Sequence, residues 1–379
     1  MGASTACFLA RDHGIAANVL EADPGGARAS SAWSVSSIRQ QFSQPVNIAL
    51  SAWSLQFLRR VGLELAVGDD RPEVGLVEPG YLYLATAAGE VALRSNHAVQ
   101  RASGADVVLL SPAELRARFP WLAGDDLVLG SFGCSGEGWF DGPGLWAALR
   151  RKAVSCGARF VHAQASHFET RAGRATAVIV SDARRFEADS VLLSAGAWTG
   201  PLAAFFGVDL PVRAKKRDVF VLDSPAMLPA CPLVIDPRGV WFRPEGKGFL
   251  AGAPPREPWP GDPDEPPLET IDHTLFDQVI WPVLAERVPA FEALRVRSAW
   301  AGYYEMNTFD HNGLAGALPG WDNVYTACGF SGHGMQQALA VGSALAARIA
   351  GGRSDAPDIG ALSPQRLIDR EPLLERNVI

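Results

Sequence analysis

Lysine is nearly absent from this chain. Only four occur among 379 residues, and Lys plus Arg total 34 against 41 Asp plus Glu, for a net charge of −7. No basic stripe stands out, which argues against nucleic acid as a main partner. Hydrophobic residues make up 48%, yet no apolar run reaches the roughly 18 residues that a membrane span requires. The first residues lack the basic n-region and long apolar core of a secretory signal, so a cytoplasmic location is expected. Cysteine is sparse as well. Cys7, Cys134, Cys156, Cys231 and Cys328 are scattered, with no C-x-x-C and no His–Cys cluster. Zinc ligands need tighter spacing and a disulfide framework usually has an even count, so buried free thiols and no metal are expected. A second dinucleotide fingerprint is also missing, and with it the case for a nicotinamide dehydrogenase.

What is present is concentrated near the end. An apolar strand, Asn323-Val324-Tyr325-Thr326-Ala327-Cys328, runs into Gly329-Phe330-Ser331-Gly332-His333-Gly334. A helix is predicted from Met335 to Ile349, with Leu339, Gly342, Leu345, Ala346 and Ile349 at roughly helical spacing. Such a turn aims backbone N–H groups at one point, where the helix dipole favours negative charge. Its glycines let something flat or bulky press against the backbone.

The start of the chain supplies the second signal. Residues 2–23 read as a helix closed by His13-Gly14, then a short strand from Ala16 to Leu20 that ends in Glu21. An acidic residue at the end of the second strand of a Rossmann unit accepts hydrogen bonds from a ribose diol. Taken alone, Glu21 reads first as a surface strand end. A dinucleotide fold also needs a first strand and a G-x-G-x-x-G turn before this helix. Here Gly2 stands where the last glycine of that fingerprint would fall, nineteen residues before Glu21. The reading is therefore a dinucleotide fold without its first strand in this chain. The two ends together suggest a flavin site.

Between them, Gly25 to Ser37 is rich in Gly, Ala and Ser, and a helix carrying Ile48, Leu50, Trp53, Leu55, Phe57 and Leu58 follows. Residues 74–95 read as strands separated by turns, and Ser111-Pro112-Ala113-Glu114 as an N-cap with proline at N1. Another helix is expected from Leu145 to Cys156, and Ser190 to Gly196 reads as a buried parallel strand. Residues 253–267 are proline-rich and read as a loop, and the last fifteen residues as a surface tail. The fold class that follows is α/β, a Rossmann-like FAD-binding domain interleaved with an antiparallel α+β substrate domain. The first would take residues 1–73, 140–212 and 310–379, the second residues 74–139 and 213–309, with a cleft between them.

Val19-Leu20-Glu21-Ala22-Asp23, Ser194-Ala195-Gly196-Ala197-Trp198-Thr199 and the 329–334 turn, in this order and at these distances, resemble the D-amino-acid oxidase superfamily of FAD-dependent oxidoreductases. The likeness is to its glycine oxidase and sarcosine oxidase side. Residues 34–43 and 303–310 are similar to one branch, the mitochondrial FAD-dependent oxidoreductase domain-containing proteins and their bacterial relatives. The resemblance implies non-covalent FAD, with Glu21 on the adenosine ribose, and Ser30 and Ser31 along the pyrophosphate and flavin side. It also implies that Gly2, Ala195, Gly196 and Trp198 border the cofactor, and that Gly332, His333, Gly334 and Met335 face the pyrimidine edge of the flavin. Negative charge gathers at that edge on reduction, and a helix N-terminus stabilises it.

Departures from the pattern bear on the substrate. Sarcosine-oxidase-like relatives carry a carboxylate-binding lysine where this chain has Gln336, and a lysine over the flavin where the resemblance places Leu250. A dehydrogenase is therefore favoured over an oxidase, with a protein electron acceptor one alternative to oxygen. Arg39, in an Arg39-x-x-Phe42 pattern like the family's Arg-x-x-Tyr, is the candidate for an anionic substrate, because its planar fork binds two oxygens at once. An ordinary ion pair is the competing reading of Arg39. Tyr304 and Gln336 complete the candidate catalytic set, with Tyr304 and Glu305 ending a strand that would face the flavin. The function implied is oxidation of a C–N bond in a small amine or amino acid of the sarcosine, glycine or D-amino-acid kind. The alternative is a catalytically silent partner in assembling a respiratory complex, a role associated with mitochondrial members of the similar branch.

Overall fold

The computed structural model describes residues 1–255 and 267–377. Most of the proline-rich stretch at 253–267 lies outside the described residues.

The N-terminal helix, Gly2–His13, ends at Gly14, whose φ of 65° allows its N–H to return to Leu9 O. Its small-residue face packs on the helices Gly142–Ser155 and Gly334–Ala350. Close approach is possible because Gly342 has no side chain: a Cβ there would lie 2.7 Å from Ser4 Cβ. Cys7, Phe8, Leu149 and Leu339 lie in the core between these helices.

Two groups of strands flank this layer. Asn18–Glu21 runs parallel to Arg159–His162, pairing Val19 with Phe160. Val191–Leu193 runs parallel to Val324–Cys328, which also pairs antiparallel with Leu314–Ala317. Among the described residues the two groups do not pair with each other. Val19 and Leu20 on one side and Val191 to Ser194 on the other line the same cavity.

A larger sheet of eight strands forms the opposite wall. In spatial order it holds Arg295–Asn307, Val212–Asp223, Gly248–Gly252, Trp241–Glu245, Leu233–Ile235, Tyr81–Ala85, Leu129–Gly133 and Val107–Leu110. Its pairs are antiparallel except where Leu233–Ile235 meets Tyr81–Ala85. One face packs Phe220, Phe242 and Phe249 against Phe276, Leu284 and Phe291. The sheet thus draws on residues 81–133 and 212–307, and the parallel pairs on the segments around them.

Three sequence expectations need correction. Residues 74–95 are not strands throughout: Tyr81–Ala85 is followed by a helix, Glu90–Ala102, braced by a Glu90–Arg94 ion pair of 2.8 Å one turn apart. Cys134 is exposed, whereas Cys7, Cys231 and Cys328 are buried free thiols. Residues 373–377 are not a free surface tail. Glu375 is fully buried and its carboxylate accepts from Ser43 N and Asn47 Nδ2, both at 2.9 Å. A buried carboxylate that satisfied forms a structural anchor.

Candidate active site

A cavity of about 1320 Å³ lies between the helical layer and the large sheet. Gly2 enters its wall at the start of the first helix, where a Cβ would meet Ser194 Oγ at 2.7 Å. Glu21 lines the cavity from the end of its strand, and its Oε1 accepts from Asp23 N at 2.9 Å. The short helix Ser30–Trp33 brings Ser30 and Ser31 to the same wall. Opposite them, Ala195 and Gly196 follow strand Val191–Leu193, and Gly196 turns the chain at φ 57°. Trp198 lines the cavity next, edge-on to Tyr303 at 5.6 Å and beneath the Arg28 guanidinium at 4.4 Å.

The 329–334 turn closes the far side. Gly332 has φ 92°, and a Cβ there would come within 2.7 Å of Tyr304 Cζ, so the backbone lies directly on that ring. Ser331 takes a positive φ of 47° and is held in it, its Oγ accepting from Asn307 N at 3.0 Å and donating to Gly329 O at 3.2 Å. Gly334 begins the long helix, and Gly334, Met335 and Gln336 all line the cavity. His333 does not line it. Its ring lies between Phe42 and Phe330, with Nε2 3.4 Å from Asn312 Oδ1, and burial pulls it down to about 4. The imidazole is therefore neutral at physiological pH and faces the protein interior.

The structure brings Arg39, Tyr304 and Gln336 to one cavity. Gln336 Oε1 accepts from Arg39 N at 2.8 Å and is 3.4 Å from Ser51 Oγ. Its carbonyl end therefore holds the Arg39 backbone. The Arg39 side chain is only 4% exposed, stacks over Phe42 at 4.0 Å, and donates to the carbonyls of Gln41 and Asn377. The Arg217 guanidinium lies 4.8 Å over the Tyr304 ring. Burial raises the Tyr304 phenol, with Arg217 and Arg39 opposing, so it stays a neutral hydrogen-bond donor. Glu305, also on the cavity wall, accepts from Phe330 N at 3.4 Å and is pushed by burial up to about 7.

Behind Arg39, Glu137 is fully buried and accepts from Gln40 N at 2.6 Å and Gln41 Nε2 at 2.7 Å. Burial pushes its carboxyl up to about 7. Gln41 also accepts from Ser131 Oγ at 2.7 Å, which ties residues 40–41 to the large sheet. Sequence reasoning missed Arg217, Glu137, Tyr81 and Trp241. Only Arg217 left a signal, as part of the charged run Lys215-Lys216-Arg217-Asp218 within a strand. Leu250 packs with Val219, Val221 and Trp241 in the sheet and does not line the cavity. Among the described residues lining the cavity there is no lysine, cysteine or histidine.

This wall fits FAD. Gly2 and Gly332 leave no space for a Cβ, Gly196 turns the chain at φ 57°, the Glu21 carboxylate lines the cavity from a strand end, and a seventeen-residue helix starts at Gly334. Comparison with known proteins agrees. The sequence profile of the family described as DAO, FAD dependent oxidoreductase, matches residues 1–348. The chain is 40% identical over 394 residues to FAD-dependent oxidoreductase domain-containing protein 1 of Xenopus laevis, covering 95% of this chain and 78% of that protein. The crystal structure of L-proline dehydrogenase from P. horikoshii superposes with a TM-score of 0.83 at 23% identity, covering 98% of this chain and 96% of the other. Glycine oxidase from Geobacillus kaustophilus gives 0.80 at 22% identity, covering 96% and 95%. The chain belongs to the DAO family of FAD-dependent oxidoreductases, and FAD is its cofactor.

Proposed function

We propose that this flavoprotein oxidises the C–N bond of a small amine or amino acid by hydride transfer to flavin N5, and that it is a dehydrogenase rather than an oxidase. The observation that carries the reading is the buried Arg39 guanidinium at the cavity wall, joined through Gln336 to the helix that opens at the glycine turn. FAD, when bound, supplies the two-electron acceptor. Arg39 anchors the substrate carboxylate, since a guanidinium in a dry site binds an anion far more strongly than in water. Tyr304, kept neutral by burial, donates to the bound substrate. The N-terminus of helix Gly334–Ala350 stabilises negative charge nearby. In this reading residues 1–73, 140–212 and 310–379 build the cofactor domain, which also contributes Arg39 and Gln336 to the substrate side, and residues 74–139 and 213–309 build the substrate domain.

The absence of lysine from the described cavity wall supports an acceptor other than oxygen. Retention of the glycine cradle and the buried guanidinium favours turnover over the silent assembly role. The test is anaerobic bleaching of the flavin by a panel of N-methyl and D-amino acids, in wild type and Arg39→Ala. We expect the variant to need about ten- to a hundredfold more substrate, the loss of one charge-assisted pair, with flavin content unchanged. An unchanged substrate requirement would remove Arg39 from the substrate site. Loss of flavin would make it a cofactor residue.

A further inference from the structure

The Arg39 fork is completed by residues more than three hundred positions downstream. Nη2 donates to Asn377 O, while Nη1 donates to Gln41 O. Asn377 is itself tied on both sides: its Nδ2 donates to Gln41 O at 2.9 Å, and its Oδ1 accepts from Asn96 Nδ2 at 2.9 Å. Two residues earlier, the fully buried Glu375 carboxylate accepts from Ser43 N, Ser43 Oγ, Asn47 Nδ2 and Asn377 N, all at 2.8–2.9 Å. The segment is also fixed to the loop beneath the glycine turn. Leu373 N donates to Asp310 Oδ2 at 2.9 Å, Glu375 N to Asp310 O at 3.0 Å, and Asn312 Nδ2 to Leu373 O at 3.0 Å. Asp310 in turn pairs with buried Arg366 at 2.7 Å.

We infer that residues 373–377 form a strap belonging to the substrate site, and that Glu375 is a positioning residue for the anion-binding Arg39. The inference rests on the reading of Arg39 given above. With Nη1 and Nη2 each held by a backbone carbonyl, the side chain cannot swing. A flexible arginine loses several rotamers on binding an anion, whereas a clamped one has already lost them. Glu375 does not touch the guanidinium. It holds the strap by accepting from donors on both sides, on Ser43 and Asn47 of the Arg39 segment and on Asn377 of the strap. An amide in its place would turn an NH2 toward donors.

The experiment uses the flavin-loaded protein and benzoate as a carboxylate probe, read by perturbation of the flavin absorbance. Wild type, Glu375→Gln, Arg39→Ala and the double variant form a cycle. We expect Glu375→Gln to keep its flavin and to weaken benzoate about tenfold, the scale of one charge-assisted contact. In the Arg39→Ala background the same substitution should add nothing. Unchanged benzoate affinity in Glu375→Gln, or a full additive loss in the double variant, overturns the strap as a positioning device. If Glu375→Gln is recovered without flavin, Asn377→Ala carries the same test, because it removes the ties to Gln41 and Asn96 and leaves Glu375 in place. Wild type that binds benzoate with Arg39→Ala indistinguishable from it would instead refute the reading of Arg39, and this inference with it. An effect of Arg39→Ala without one of Glu375→Gln refutes the strap alone.

Discussion

Gly332 shows how much one absent side chain decides. Its φ of 92° lies where L-residues are strained, and a Cβ would run into the Tyr304 ring. Backbone strain of this kind costs about 1–3 kcal/mol, and the clash adds to it. Gly332→Ala is therefore expected to lower the melting temperature and release flavin, both read from absorbance during a thermal ramp. A variant as yellow and as stable as wild type would show that the turn shifts without cost. Arg39 and Gln336 could be found in the sequence because they fall within or beside motifs. What could not be found is that the Gln336 carbonyl serves the Arg39 backbone at 2.8 Å, across nearly three hundred residues. No local pattern encodes such a pairing.

At the scale of elements, the crossing of helices Gly2–His13 and Gly334–Ala350 poses a choice between two opposing effects. Replacing Gly342 by alanine improves intrinsic helix propensity by about 1 kcal/mol. The new Cβ would meet Ser4 Cβ at 2.7 Å and Ser4 C at 3.0 Å, however, and backbone cannot move aside as a long side chain can. Overpacking of this sort costs about 1–3 kcal/mol, so Gly342→Ala should destabilise, with urea unfolding as the measurement. A gain in stability would mean the helices separate freely. The helix after the glycine turn could be read in the sequence to within a residue at each end, 335–349 against Gly334–Ala350, because its apolar spacing is regular. The Ser111–Glu114 cap could be read as well and is present as a reciprocal capping box. The Glu90–Ala102 helix and the strap could not. The helix buries Asn96 and Gln100, and the strap buries Glu375; long-range hydrogen bonds hold all three in place where apolar periodicity would otherwise mark the buried face.

Across the whole molecule, a buried carboxyl ties stability to pH. Burial raises the fully buried Glu137 from 4.5 to about 7. Below about pH 4.5 the group is protonated in folded and unfolded chains alike, and its contribution is fully present. As pH rises toward 7 the unfolded chain releases the proton first, so the folded state loses up to about 3 kcal/mol, and above 7 the loss is complete. Glu137→Gln should therefore lose less stability than wild type between about pH 5 and pH 8 in urea titrations. An identical slope would place the ionised form comfortably inside the fold. The architecture was legible at both ends of the chain because glycine turns and an acidic strand end mark a cofactor wall. The far wall is built by pairing remote strands, and Arg217, Tyr81 and Trp241 converge only once the eight-stranded sheet has formed.

The strap adds an order in time. Residue 39 leaves the ribosome 338 residues ahead of residue 377, whose carbonyl caps its guanidinium. A growing chain can assemble the helix–strand unit at its start and later the large sheet, while the anion-binding corner stays open until synthesis has passed the strap. On the proposed role of Arg39, a carboxylate ligand would stabilise chains that include residue 377 over shorter ones that lack it.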